Sequence, residues 1–189
     1  MRSAMHRIVL ATSLTLVAGS ALAVNLAGVN IEDRVTVNGQ NLVLNGAGLR
    51  KKFVVKVYTG ALYLPSKQTN AAAIIAADTP RRMVMHFVYD VDKAKIAEAW
   101  TEGLRDNTPN ASPEVKTAFR TLSGWMEDMK KGQRITMTYV PGVGTTVEVN
   151  GKNKGTLGGK AVADAILATW IGPKPGPGDD FRKAVLGQS

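Results

Sequence analysis

Alternating apolar and polar residues predict most strands of this chain. Residues 34–37 and 41–44 alternate on either side of Asn38-Gly39, a dipeptide typical of a two-residue hairpin turn. Residues 49–64 are rich in Val, Tyr and Phe, a composition that favours a further strand. Further strands are predicted over residues 82–89, 134–140, 145–149 and 154–157.

Apolar residues at steps of three and four predict the helices. Asp92 is a suitable N-cap for a helix that extends to about Arg105. Ser112, followed by Pro113 at the first helical position, predicts a second helix whose apolar steps continue to Met129. Shorter helices are predicted over residues 70–77, 159–170 and 179–186.

The order of these elements indicates the fold class. Strands cluster along the chain and helices cluster separately, which favours an α+β domain over alternating βαβ units. We therefore expect a long, largely antiparallel sheet with helices packed on one face.

The first 23 residues have the pattern of a secretory signal peptide. Arg2 and Arg7 precede an apolar run over residues 8–18, and Ala21-Leu22-Ala23 is a small-x-small cleavage site. The apolar run is too short to span a bilayer, and an uncleaved anchor is the alternative. We expect residues 24–189 to form a single exported domain, periplasmic or secreted, without stable insertion in a membrane.

Composition excludes several kinds of site. The chain has no cysteine, and of its two histidines only His86 follows the predicted signal peptide. Disulfides, thiolate metal sites and thiol catalysis are therefore excluded, and a histidine metal site or a Ser-His-Asp triad is not expected. Residues 155–160 (GTLGGK) resemble a phosphate-binding loop, but Lys154 stands where its first glycine belongs and Ala161 replaces its Ser or Thr. We expect neither a metal nor a cofactor.

The chain is basic, with a formal net charge of +9 that falls to +7 without the two arginines of residues 1–23. The cations are spread along the sequence and an exported protein rarely meets nucleic acid, so nucleic acid is not an expected partner. A weak attraction to anionic surfaces of the cell envelope is the remaining consequence of this charge.

One stretch holds the candidate site that these exclusions leave. Residues 46–64 read GAGLRKKFVVKVYTGALYL, which we interpret as a Gly-Ala-Gly turn followed by one long strand with Arg50 at the junction. On an extended strand Arg50, Lys56 and Tyr58 would share a face with aliphatic side chains, a composition suited to binding an anion. The alternative is a strand whose cations extend into water.

The run LNGAGLRKKFVVKVYTGALYLP, residues 44–65, resembles the signature of the chalcone isomerase-like proteins. The resemblance extends to residues 93–104 and to residues 158–172, an Ala-rich helix that ends in Trp-Ile-Gly, and it is greatest to the exported bacterial branch of the family. It implies an open-faced β-sandwich, in which a long antiparallel sheet carries helices on one face and a cleft lies between them.

The resemblance also implies roles for particular residues. In the plant enzyme the matching arginine polarises an oxyanion during a cofactor-free ring closure, so Arg50 would be the catalytic residue of an isomerase. This chain departs from the enzyme at two other polar positions, because Tyr58 stands where the enzyme has a strand threonine and Lys95 falls near its helical tyrosine. Thr59 matches the threonine only with a one-residue slip, which reverses its face.

An arginine followed by a tyrosine is similar to the fatty-acid-binding members of the same superfamily, in which the pair holds a carboxylate. This similarity implies that Arg50 and Tyr58 grip an acidic head group, with Lys56 as a helper. Three hypotheses follow. The chain is an exported binder of a fatty acid or similar hydrophobic carboxylate, a cofactor-free intramolecular lyase or isomerase for a polyphenol-like ligand, or a structural protein of the envelope with a closed cleft. The oligomeric state is left open.

Overall fold

Antiparallel strands form the centre of the molecule. The structure is a computed structural model that describes residues 24–188, so the predicted signal peptide over residues 1–23 lies outside the described residues. A short hairpin of β1 (Val24–Leu26) and β2 (Val29–Ile31) comes first. Seven strands then form one sheet in chain order: β3 (Arg34–Val37), β4 (Gln40–Lys52), β5 (Val55–Leu64), β6 (Arg81–Phe87), β7 (Arg134–Val140), β8 (Gly144–Val149) and β9 (Lys152–Leu157).

The helices occupy the connections between these strands and the C-terminal part of the chain. They are α1 (Ala71–Ala76), α2 (Lys93–Asn107), α3 (Pro113–Gly124), α4 (Lys160–Ile171) and α5 (Asp179–Val185). Asn70 caps α1 by accepting a hydrogen bond from the backbone N–H of Ala73, and Ser112 caps α3 in the same way. Together the helices and the sheet confirm the predicted α+β fold.

The two faces of the sheet bury different cores. On the face that we call the helical face, Leu62, Met83 and Ile135 pack in one cluster with residues of the helices. On the opposite face, Leu42 and Tyr63 pack with the β1–β2 hairpin. This arrangement confirms the predicted packing of helices on one face. Within residues 24–188, no helix is long and apolar enough to cross a bilayer.

The predicted Gly-Ala-Gly turn is wrong, because Gly46 and Gly48 lie inside β4. A Cβ atom at Gly46 would lie 2.8 Å from the carbonyl oxygen of Val185, and one at Gly48 would lie 2.9 Å from that of Phe181. The glycines therefore let the backbone of α5 approach the sheet closely. The chain instead reverses at residues 53–54, where Phe53 has a φ of 55°.

Two further elements differ from the predictions. Helix α3 ends at Gly124, although Met126 and Met129 are buried as their spacing predicted. Met129 lies in an extended segment, where its backbone exchanges two hydrogen bonds of 2.8 Å with Val91. The sequence pattern does not predict the β1–β2 hairpin, because strands of only three residues are too short to show a clear alternation.

Candidate ligand-binding cavity

A cavity of about 840 Å³ lies between the helical face of the sheet and the helices that cover it. Its walls come from β4, β5 and β6, from α2 and α4, and from residues 172–178 (GPKPGPG), which we call the Pro-Gly loop. Apolar side chains supply much of the wall, among them Val57, Met85, Phe87, Ile96, Trp100 and Trp170. This size and lining are typical of a site for a small, largely apolar molecule.

Arg50 and Tyr58 meet on the sheet side of the cavity, because the register of β4 and β5 pairs them directly. Directly paired residues of antiparallel strands project to the same face, with Cβ atoms about 4.5–5.5 Å apart. Arg50 is half-buried, and its Nη1 donates a hydrogen bond of 2.6 Å to the carbonyl oxygen of Gly176 in the Pro-Gly loop. A guanidinium has five N–H donors, so Arg50 keeps donors for a ligand.

Tyr58 is buried, and its hydroxyl is oriented by Trp170. The indole Nε1 of Trp170 donates to Tyr58 Oη at 3.3 Å. Because an indole only donates, Tyr58 is the acceptor and its own O–H proton stays available; no group within residues 24–188 accepts it. Burial raises the pKa of Tyr58 to about 12, against opposing effects of Arg50 and the Trp170 hydrogen bond. Tyr58 is therefore a neutral donor at physiological pH.

Aromatic rings pack around this hydroxyl. The ring centroid of Tyr58 lies 5.7 Å from that of Phe87 and 5.8 Å from that of Phe181. Phe181 belongs to α5 and lies on Gly48 and Gly60, which face each other across β4 and β5. A Cβ at Gly60 would lie 2.7 Å from Cε2 of Phe181. The paired glycines therefore make the room that lets Phe181 of α5 pack against the sheet beside Tyr58.

A second buried indole lies in the cavity wall. Trp100 is 4% exposed, and its ring meets that of Trp170 edge to face with centroids 5.2 Å apart. Its Nε1 has no hydrogen-bond partner within the described residues. A buried N–H without an acceptor costs about 1–3 kcal/mol, so a ligand in the cavity that accepts from Trp100 would recover this energy.

The Pro-Gly loop that contacts Arg50 is held from its other side by α2. Asn107 Nδ2 donates to the carbonyl oxygen of Lys174 at 2.8 Å, and Asn107 Oδ1 accepts from the backbone N–H of Lys174 at 2.9 Å. The N–H of Gly176 also donates to the carbonyl oxygen of Thr169 at 2.9 Å. These bonds fix the loop and hold the carbonyl oxygen of Gly176 at the guanidinium of Arg50.

Charged side chains of both signs form the rim of the cavity. Lys52, Lys95 and Lys174 line it, as do Asp90, Glu102, Asp106 and Asp179. Hydrogen bonds from the backbone of Lys131 and from Lys130 hold the pKa of Asp90 below its usual value. No cluster of three or more potential metal ligands occurs within residues 24–188. The arrangement offers an apolar interior with fixed hydrogen-bond donors at one end.

Two of the three predicted ligand-binding residues line the cavity, and the third does not. Arg50 and Tyr58 both line the cavity, although on two strands, so the interpretation of a single strand with shared parity is wrong. Lys56 pairs with Lys51, is exposed, and lies outside the cavity lining. Thr59 is buried on the opposite face, in the wall of a smaller cavity.

Sequence reasoning did not identify Trp170 or Gly176 as parts of the site. Trp170 belongs to the Trp-Ile-Gly end of α4, which the family resemblance already covered, so this motif was the available signal. Nothing in the sequence pairs Gly176 with Arg50, because a carbonyl contact between residues 126 positions apart has no local pattern.

Comparisons with known proteins agree with this fold. A fatty-acid binding protein from Arabidopsis thaliana is similar in structure, with a TM-score of 0.66 over 88% of this chain and 96% of that chain, at 16% sequence identity. At this identity the likeness shows a shared fold alone. A comparison with curated proteins finds no match. The model of the chalcone isomerase-like family matches residues 23–187, nearly the whole sequence. The chain belongs to the chalcone isomerase-like family.

Proposed function

We propose that this protein binds a fatty acid or a similar hydrophobic carboxylate in the cavity beside Arg50. The observation that carries the proposal is the pairing of Arg50 with the buried, neutral hydroxyl of Tyr58 at one end of an apolar cavity. A carboxylate accepts hydrogen bonds from both groups, and each charge-assisted bond contributes about 1.5–3 kcal/mol. Each methylene buried along the apolar wall adds about 0.8 kcal/mol.

The carboxylate of a bound ligand would replace the carbonyl oxygen of Gly176 as the acceptor for Arg50. The carbonyl oxygen of Gly176 accepts from Arg50, and a carboxylate is a stronger acceptor that can engage two guanidinium donors at once. Within residues 24–188 Arg50 therefore has a neutral partner and no acidic one. Its structural neighbour from Arabidopsis thaliana, a fatty-acid binding protein of the same fold, adds support.

The two alternative functions find less support. A closed structural protein requires a filled cleft, whereas this cleft holds about 840 Å³ and its arginine has no carboxylate partner within the described residues. The plant isomerase that the sequence resembles uses a strand threonine to organise the reacting water, and Thr59 of this chain lies on the opposite face of the sheet. Turnover of a chalcone by the folded protein would favour the isomerase over the binder.

The direct test is to identify what the protein carries. The chain is purified from a bacterial host, extracted with organic solvent and examined by mass spectrometry, with Arg50→Gln and Arg34→Gln purified in parallel. Arg34 is exposed on the edge strand β3, so Arg34→Gln removes the same charge away from the cavity. We expect acids in the wild type and in Arg34→Gln, and their depletion in Arg50→Gln. Equal lipid content in all three contradicts the proposal.

Export is part of the proposal. Residues 1–23 have the three-part pattern of a secretory signal, which supports cleavage after Ala23 and a periplasmic or secreted location. The intact mass of the protein recovered from the periplasm of a bacterial host tests this, with a chain that begins at Val24 as the expected result. Recovery of the uncleaved chain from the cytoplasm contradicts it.

A further inference from the structure

The end of the β4–β5 hairpin projects beyond the rest of the sheet. Pairing between β5 and β6 begins at Tyr58, and β3 pairs only with residues 40–43 of β4. Residues 51–56, with the sequence KKFVVK, therefore pair with one another alone, and we call them the hairpin tip. At its end Phe53 is 92% exposed and Val54 is 93% exposed, whereas the next most exposed large apolar side chain of residues 24–188 is Val143 at 60%.

The turn at the end of the hairpin tip has a backbone conformation that its residue types disfavour. Lys52 pairs with Val55, so Phe53 and Val54 form a two-residue turn, and Phe53 has a φ of 55°. Glycine, Asn and Asp adopt this conformation at low cost, whereas a bulky aromatic residue does not. Because the Phe53 side chain is also exposed, packing in the interior of the fold does not compensate for this backbone strain. The residue choice therefore points to contact with something outside the molecule.

The charge around the tip is of one sign. Lys51, Lys52 and Lys56 are exposed, and none of them forms a salt bridge within the described part of the chain. From residue 34 to residue 77 the sequence contains six Lys or Arg and no Asp or Glu. The tip therefore combines two protruding apolar side chains with three unpaired cations on flexible stems.

We propose that the hairpin tip docks onto the surface of a lipid bilayer that contains anionic lipids. Phe53 and Val54 enter the interface between head groups and acyl chains, and the three lysines contact lipid phosphates. An anionic membrane fits better than a neutral or cationic partner surface, because the exposed polar side chains of the tip are all cations. The inference does not depend on the proposed function. If both hold, docking brings the cavity to the membrane, since Lys52, Phe53 and Val55 also line it.

The test is flotation of residues 24–189, the range that holds every described element, with vesicles in the absence of added fatty acid. Vesicles of phosphatidylcholine with phosphatidylglycerol are compared with vesicles of phosphatidylcholine alone. The apolar variant is Phe53→Ser/Val54→Ser, and the charge variant is Lys51→Gln/Lys52→Gln/Lys56→Gln. Matched controls are Val143→Ser, at another exposed turn, and Lys67→Gln/Lys116→Gln/Lys183→Gln, which removes three exposed lysines elsewhere. Thermal melting verifies that each variant is folded.

We expect the wild type to bind the anionic vesicles and to dissociate as salt concentration rises. The apolar variant should bind about tenfold more weakly, and the charge variant about a hundredfold more weakly, while both controls stay within about twofold of the wild type. Wild-type protein that does not float with anionic vesicles overturns the proposal. So does binding that both tip variants retain, and a protein partner would then be the remaining occupant of the tip.

Discussion

Arg50 lies directly across the β4–β5 ladder from Tyr58, and both side chains stand on the face of the sheet that bounds the cavity. The guanidinium carries a permanent charge, and the phenol keeps its proton because burial raises its pKa to about 12. One partner therefore supplies charge and the other a neutral donor. Together they favour an anionic oxygen ligand over a neutral one.

Removing the Tyr58 hydroxyl should weaken acid binding and leave the fold nearly intact. In Tyr58→Phe we expect a loss of about 1.5–3 kcal/mol in the binding of a fatty acid, roughly ten- to hundredfold, measured by titration calorimetry. Tyr63→Phe is the matched control, because the Tyr63 hydroxyl donates to the carbonyl oxygen of Glu32 instead of facing this cavity. An unchanged affinity in Tyr58→Phe removes this hydroxyl from the site.

Trp170 should act through Tyr58. Its Nε1–H occupies an acceptor position of Tyr58 Oη at 3.3 Å, which leaves the phenol proton for a ligand. We expect Trp170→Phe to weaken acid binding by about 0.5–1.5 kcal/mol in the wild-type background and to have little effect in the Tyr58→Phe background. The same loss in both backgrounds would assign Trp170 a packing role only.

Gly60 should tolerate no side chain. In Gly60→Ala the new Cβ would meet the ring of Phe181, and we expect a loss of about 1–3 kcal/mol in the free energy of unfolding, measured by denaturant titration. Gly158→Ala is the control, because nothing lies within 4 Å of a Cβ built there. Because Phe181 also packs against Tyr58, with ring centroids 5.8 Å apart, Gly60→Ala should also reduce acid binding. Equal stability of the two variants would contradict this packing.

Alkaline pH should destabilise the fold through its buried tyrosines. Burial is the main cause that raises the pKa values of Tyr58, Tyr63 and Tyr139 to about 12, from a usual value of 10.0. Above pH 10 the unfolded chain releases these protons before the folded chain does, so the free energy of unfolding falls as pH rises through this window. Each tyrosine contributes a slope of about 1.4 kcal/mol per pH unit between the two values.

The measurement is denaturant unfolding at several values between pH 9 and about 11, with Tyr58→Phe beside the wild type. Since the phenylalanine that replaces Tyr58 cannot titrate, the variant should lose stability less steeply than the wild type. Parallel slopes would show that Tyr58 titrates alike in the folded and unfolded chains.

Much of the fold follows from local patterns in the sequence. Asn38-Gly39 marks a hairpin turn by the backbone angles that these residues favour, and Ser112-Pro113 marks the start of α3 by capping. Both signals involve neighbouring residues, and the structure confirms both.

The remaining features depend on contacts between distant segments. Gly46 and Gly48 resemble a turn in the sequence, yet they serve the close approach of α5, more than 130 residues later. The true turn at Phe53-Val54 contains no turn-forming residue, so the sequence gives no local sign of it. The pairing of Arg50 with Tyr58 depends on that turn, and the family resemblance indicated the pair without its geometry.

The preference for an acid over its uncharged ester tests the central claim most directly. A fatty acid and its methyl ester share the alkyl chain and differ in the charge that Arg50 would bind. We expect the wild type and Arg34→Gln to bind the acid at least about tenfold more tightly than the ester, and Arg50→Gln to bind the two alike. Equal affinity of the wild-type protein for acid and ester would contradict the assignment of Arg50 and Tyr58 as a carboxylate site.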